Sequence, residues 1–189
     1  MDFKRLWRTI RLNLSNDKGK YLRRAHIFEY FGKNSTYASR KIPLYPELIY
    51  IGDNVRLAAN VLLVPHDMAH AMLNNIRGGG AGSCGGCQEQ IGCIKIDDDV
   101  FVGANTIVLA NVYIGKKVII GAGSLVNKDL PGGYVYAGVP AKKISTFEQF
   151  WEKRKNVLYP KKFKRKGDSI DFEFAEWLWN DFSAKRKEE

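Results

Sequence analysis

Histidine is the side chain whose ordinary pKa lies nearest neutrality, and this chain has three, His26, His66 and His70. A neutral imidazole can take the proton of an attacking hydroxyl and return it to a leaving group. Three cysteines form a second cluster. Cys84-Gly-Gly-Cys87 with Cys93 has the spacing of half a zinc site, and its fourth ligand would have to be His70 or a residue of another chain. An odd number of cysteines in a chain this size argues against a disulfide framework. Reduced thiols and no bound metal are the expectation.

His66 sits in a pattern that says how it is held. An apolar residue recurs every six positions in two runs: Ile51, Leu57 and Leu63, then Ile96, Val102, Val108, Ile114, Ile120 and Val126. The fifth residue of the unit is Val, Thr, Ser or Leu in eight of the nine units and fails only at Asp67. A period of six fits neither a helix nor a simple alternating strand. It fits a short strand followed by a corner, repeated so that three units close one coil of 18 residues. Ile96 then stacks on Ile114, Val102 on Ile120 and Val108 on Val126, with neighbouring strands about 4.8 Å apart. Asn60, Asn105 and Asn111 occupy corner positions, where a turn or left-handed conformation is needed. His66 is the fourth residue of its unit, so it belongs at a coil edge. Residues 67–95 then abandon the pattern, and their glycines predict an irregular excursion with a functional or surface role.

Composition narrows the class. The 189 residues are 45% hydrophobic and 26% charged, as in an ordinary globular protein. The net charge of +10 is uneven: residues 1–43 contribute +8, residues 44–141 −2 and residues 142–189 +4. No nucleic-acid-binding motif accompanies the basic ends. Neither a membrane-spanning run nor a signal peptide is recognisable, which predicts a cytoplasmic protein. Phe3, Leu6, Trp7, Ile10 and Leu14 follow helical spacing, with Lys4, Arg5, Arg8 and Arg11 around them. Such a stripe more often packs on its own protein, although weak peripheral contact with a membrane is the alternative. Ser145-Thr-Phe-Glu148 reads as a capping box, and a second helix is expected after Asp168 or Ser169, burying Phe174, Trp177, Leu178 and Phe182.

The repeat resembles that of the hexapeptide acyltransferases over roughly residues 48–144. The ending from Ile120-Gly-Ala-Gly-Ser to Ala-Gly-Val-Pro-Ala-Lys-Lys-Ile144 is similar to the terminal coil of their galactoside, maltose and xenobiotic acetyltransferase branch. The resemblance implies a mainly β fold, a left-handed parallel β-helix with flanking helices. It suggests three parts: an N-terminal helical segment (1–43), the β-helix with its excursion (44–144) and C-terminal helices (145–189). It further implies a homotrimer that transfers acetyl from acetyl-CoA directly to a saccharide hydroxyl, without an acyl-enzyme.

The roles carried over are residue by residue. His66 matches the catalytic histidine, with Asp67 or Glu89 as candidates to orient its ring, and Asp67 and His70 as candidates to contact the acceptor. Gly103, Ala104, Gly121 and Ala122 match the low-bulk strip along which the pantetheine arm lies. Asn127 and Lys128 match a turn that meets this arm, and Lys142 and Lys143 the basic positions facing the CoA phosphates. Phe101 stands where the branch commonly has Trp. Three metal-binding histidines on adjacent coils, which a γ-carbonic anhydrase needs, are not offered by His26, His66 and His70. The other readings are a scaffold or carbohydrate-binding module without turnover, and N-acetylation of an amino sugar or xenobiotic.

Overall fold

A computed structural model of the chain describes residues 3–76, 86–160, 165–166 and 169–186. The chain divides into two compact units, Met1–Phe150 and Trp151–Glu189. The first contains three parallel stacks of very short strands. One stack runs β1 (Tyr30–Phe31), β3 (Ile49–Ile51), β6 (Ile94–Ile96) and β9 (Val112–Ile114). The second joins β2 (Thr36–Tyr37), β4 (Arg56–Leu57), β7 (Val100–Val102), β10 (Val118–Ile120) and β12 (Tyr134–Ala137), and is closed by the antiparallel β13 (Lys142–Thr146). The third holds β5 (Leu62–Val64), β8 (Ile107–Leu109) and β11 (Leu125–Val126). They are called here the first, second and third faces.

Successive strands step from face to face, and the chain returns to its starting face after 18 residues: Ile96 pairs with Ile114, Val102 with Ile120 and Val108 with Val126. The first residue of all nine hexads is buried, and so is the fifth in every hexad except the one carrying Asp67. Two side chains per unit therefore point inward, and the β-branched residues among them, stiff at χ1, suit strands of two or three residues. The fourth residue turns the corner. Asn54, Asn60, Asp99, Asn105, Asn111 and Lys117 have φ between 55° and 61°, the left-handed region that Asn tolerates well, and Gly123 has φ 70°.

One coil escapes the aliphatic pattern. Phe31-Gly-Lys-Asn34-Ser-Thr36 is also a hexad, with Phe31 and Ser35 buried and Asn34 at φ 57°, and Tyr37 begins the next. Its strands pair Phe31 with Ile51 and Tyr37 with Leu57, so the step here is 20 residues. Aromatic rings fill the interior at this end, where Phe28 stacks on Phe31.

Helices α1 (Phe3–Leu14) and α2 (Lys18–Arg24) belong to the same unit, bringing Leu12 and Leu22 into its core. The apolar stripe of α1, expected to pack inward, is instead exposed, and the helix is held by its opposite side. At the other end the capping box forms one residue later than expected. Thr146 Oγ1 accepts from Gln149 N at 3.1 Å, and Gln149 Oε1 accepts from Thr146 N at 3.0 Å, starting α4 (Phe147–Lys155). In the second unit, α5 (Phe172–Ala184) is N-capped by Asp171, whose Oδ1 accepts from Phe174 N at 2.8 Å. Phe174, Trp177 and Leu178 are half-buried there and Phe182 is exposed; the helix begins after Asp171, two residues past Ser169, which lies in a short strand, and Asp168 lies outside the described residues. Among the described residues, no helix is long and apolar enough to cross a membrane.

Candidate active site

The chain leaves the coil where Val64 has just paired with Leu109. Pro65 and His66 follow, and the excursion opens with α3 (Ala69–Ile76). Asp67 turns the chain just before that helix: its Oδ1 accepts from Ala69 N at 2.9 Å. The returning segment is tied back at several points. Asn74, buried, donates to Cys87 O at 2.9 Å and accepts from Cys87 N at 2.7 Å. Asp67 N donates to Gln90 O, Gly92 N donates to Pro65 O, and His66 and Ile91 form an antiparallel bridge. His66 is thus gripped on the backbone from both strands of the loop's neck.

Its ring is half-buried, edge-on to Tyr45 with centroids 5.4 Å apart. His66 Nδ1 is sealed from solvent and has no hydrogen-bond partner. Neither candidate for orienting the ring reaches it: Asp67 Oδ1 accepts from Ala69 N, and Glu89 accepts from the Tyr45 hydroxyl at 3.0 Å. That bond holds the Tyr45 phenol above its ordinary pKa, because ionisation would set a phenolate beside a carboxylate. Tyr45, at φ 50°, is a wall of the site that no spacing signalled.

His66 lines a cleft of about 740 Å³ that runs over the third face. Asn60 and Asn105 lie at one end, Leu62, Ile107 and Val64 along the floor, and residues 37–44 with Arg5 of α1 on the opposite wall. His70, on α3, is half-buried with its own Nδ1 unpartnered. His26 does not line the His66 cleft; it sits at the turn after α2 with φ 44°.

The remaining candidate positions fall into two groups. Gly103-Ala104 and Gly121-Ala122 stack at the corner between the second and third faces, the corner that also holds Asn60, Asn105 and Gly123. A Cβ at Gly103 would lie 2.4 Å from Ala122 N, and one at Gly121 2.8 Å from the Ala137 Cβ, so coil stacking by itself demands small residues there. Ala137 pairs with Lys142, which brings that exposed lysine to the same corner. Lys143 places its Nζ 3.2 Å from the centre of the Tyr134 ring. Asn127 and Lys128 instead follow Val126 at the far end of the third face, on the corner that His66 occupies. Within one chain, the low-bulk corner at Asn60 and the imidazole at His66 are six residues apart, up to about 20 Å of extended chain. Phe101 is exposed on β7, between Arg56 and Ile119.

Cys87 and Cys93 are free and exposed, Cys84 lies outside the described residues, and among the described residues no three His, Cys, Asp or Glu side chains are grouped to hold a metal.

Residues 93–128 match the bacterial transferase hexapeptide family, which is defined on six repeats. The acetyltransferase-like protein YvoF of Bacillus subtilis (strain 168) is 32% identical over 127 residues, covering 66% of this chain and 64% of its own length. The chain thus spans just under two thirds of that relative. A maltose O-acetyltransferase structure from Clostridium difficile 630 superposes with a TM-score of 0.56 at 25% identity, over 76% of this chain and 84% of that one. A galactoside acetyltransferase solved in complex with coenzyme A shares the fold, with a TM-score of 0.54 at 23% identity over 87% and 88% of the two chains.

Proposed function

We propose, from the hexapeptide match over residues 93–128 and the likeness to YvoF, that this chain is a hexapeptide-repeat acetyl-CoA-dependent O-acetyltransferase acting on a saccharide hydroxyl. The coil is read as left-handed and residues 44–144 as the catalytic part. The observation that carries the reading is His66, fixed at a coil corner at the end of a cleft, with one ring nitrogen sealed among protein atoms.

With Nδ1 enclosed, Nε2 is the nitrogen left to exchange a proton. A saccharide hydroxyl is a poor nucleophile at neutral pH, so the imidazole removes its proton as the oxygen attacks the thioester carbonyl. Backbone N–H groups at a coil corner suit the oxyanion that results. As the C–S bond breaks, the imidazolium returns the proton to the departing thiolate. The O-acetyl ester and free CoA leave, and no covalent bond to the protein forms.

Acetyl-CoA, as second substrate, fits the corner of Gly103, Ala104, Gly121 and Ala122. Ala122 is exposed, a Cβ at Gly123 would meet nothing within 4 Å, and Lys142 stands beside the strip to meet phosphate. Lys143, Asn127 and Lys128 complete the proposed contacts. That corner and His66 lie at the two ends of one chain's third face, and a second chain packed along that face would enclose a donor between subunits. Leu62, 55% exposed on this face, with Val64, Ile107, Leu109 and Leu125 beside it, supplies apolar surface for such assembly, and a homotrimer is the proposed form. Asp67 and His70 stand at the mouth of the excursion, where the acceptor would lie.

Replacing His66 by Ala tests the reading. Free-thiol release in the presence of acetyl-CoA and an acceptor panel should fall by about 100-fold or more, with CoA binding by calorimetry retained. Unchanged thiol release would overturn the role of His66. A wild-type chain that binds saccharide but releases no thiol with any acceptor would point to a binding module.

A further inference from the structure

Helix α1 turns its apolar stripe away from the core. On α1, Phe3 (86% exposed), Leu6, Trp7 (61%), Ile10 and Leu14 (79%) form one continuous stripe, all exposed. Leu12, half a turn away around the helix, is fully buried, and Arg5, Arg8 and Thr9 on its side are half-buried. An amphipathic helix ordinarily buries its apolar stripe and shows its polar side to water. Here the polar side docks: the Tyr21 hydroxyl donates to Arg8 O, and Asn13 donates to Arg40 O at 2.8 Å.

We propose that α1 is a membrane-docking helix whose Phe3–Leu14 stripe inserts into the surface of an anionic phospholipid bilayer. Charge selects this occupant. Neither α1 nor α2 contains an acidic residue, and the two helices together carry Lys4, Arg5, Arg8, Arg11, Lys18, Lys20, Arg23 and Arg24. Asp17, between them, is spent on capping α2. Arg11 lies 6.0 Å from the centre of the Trp7 ring, so a cation borders the stripe where phosphate headgroups would meet it. A second copy of the helix would bring the same charge to the same rim and be repelled. Phenylalanine, tryptophan and leucine on one side of a cationic helix are what the headgroup boundary accommodates, with shallow burial and no need to span. Arg5, on the docked side, also lines the His66 cleft, so a bilayer held by α1 would lie close to the cleft's wall.

Co-sedimentation of the full chain with vesicles tests this. Binding to phosphatidylcholine doped with phosphatidylglycerol should exceed binding to pure phosphatidylcholine by about tenfold or more, and should weaken as salt rises. Trp7→Ser and Leu14→Ser should each lower it severalfold while leaving the melting temperature unchanged, because both side chains are exposed. Arg11→Gln should reduce the preference for anionic vesicles. Equal binding to both vesicles, or none to either, would overturn the proposal. So would a lipid-free oligomer, seen by sedimentation velocity, that Trp7→Ser dissolves, since a second copy would then cover the stripe.

Discussion

The first and third faces share one backbone design and one core, yet their outer surfaces differ. On the first face, Tyr30, Tyr50, Lys95 and Tyr113 form a ladder. Tyr30 stacks on Tyr50 at 4.9 Å, and Lys95 Nζ lies 5.4 Å from the Tyr50 ring and 5.6 Å from Tyr113. The hydroxyls of Tyr30 and Tyr113 donate to Asp53 and Asp97. Lys95 also pairs with Asp97, so polar and charged groups cover the outside of that face. On the third face the outward positions are aliphatic, with no ladder among them, and His66 stands at its edge. The inner positions of the hexad specify the coil; its outer positions decide whether a face ends the molecule or awaits something.

The sharpest way to break this contrast is to charge the third face. Leu62→Glu with Ile107→Glu should convert the proposed trimer to monomer by light scattering and lower acetyl transfer by about 100-fold, with circular dichroism unchanged. A fully active monomer would remove the functional difference between the faces. Tyr50→Ala on the first face should cost about 1–2 kcal/mol in urea unfolding, from the lost ring stack and cation contact, while assembly and turnover stay intact.

Tyr37, inside the core, tests the interior common to both faces. Burial pushes its phenol from 10.0 to about 12, and its hydroxyl donates to Lys41 O at 2.6 Å. The fold binds this proton more tightly than the unfolded chain does. Its contribution is therefore complete below pH 10 and is lost as pH climbs towards about 12. Tyr37→Phe should cost about 1 kcal/mol at neutral pH and flatten the alkaline decline measured by urea midpoints. The smallest effect belongs to Asp98, whose carboxyl is held below its ordinary pKa by the hydrogen bond from Lys116 and by Asp53 N. That contribution is present above the ordinary carboxylate range and disappears as pH falls through the depressed value. Asp98→Asn should slightly flatten the acid limb, at the edge of what thermal melts resolve.

Much of the coil was legible because a hexad writes inside and corner at fixed offsets. The Ile96–Ile114 and Val108–Val126 columns and the left-handed Asn60, Asn105 and Asn111 follow directly. The first coil was not legible, because Phe31 and Tyr37 replace aliphatics and its step is 20, although Gly32 and Asn34 keep the second and fourth positions. A helical wheel shows which residues of α1 share a side but not which side docks. The capping box slipped by one because Ser145 with Glu148 and Thr146 with Gln149 both fit the pattern. The surroundings of His66 depended on the way back from the excursion. Asn74 to Cys87, Asp67 to Gln90 and Gly92 to Pro65 set it, and no periodicity encodes such pairs.

The neck where Gly92 N meets Pro65 O leaves the ladder undisturbed. Ile51 finds Ile96 and Leu63 finds Val108 at the same offset of 45, as if nothing intervened. On the proposed reading, a different segment spliced between Asp67 and Gln90 would change acceptor preference while His66, the neck and the aliphatic columns beneath stay in place.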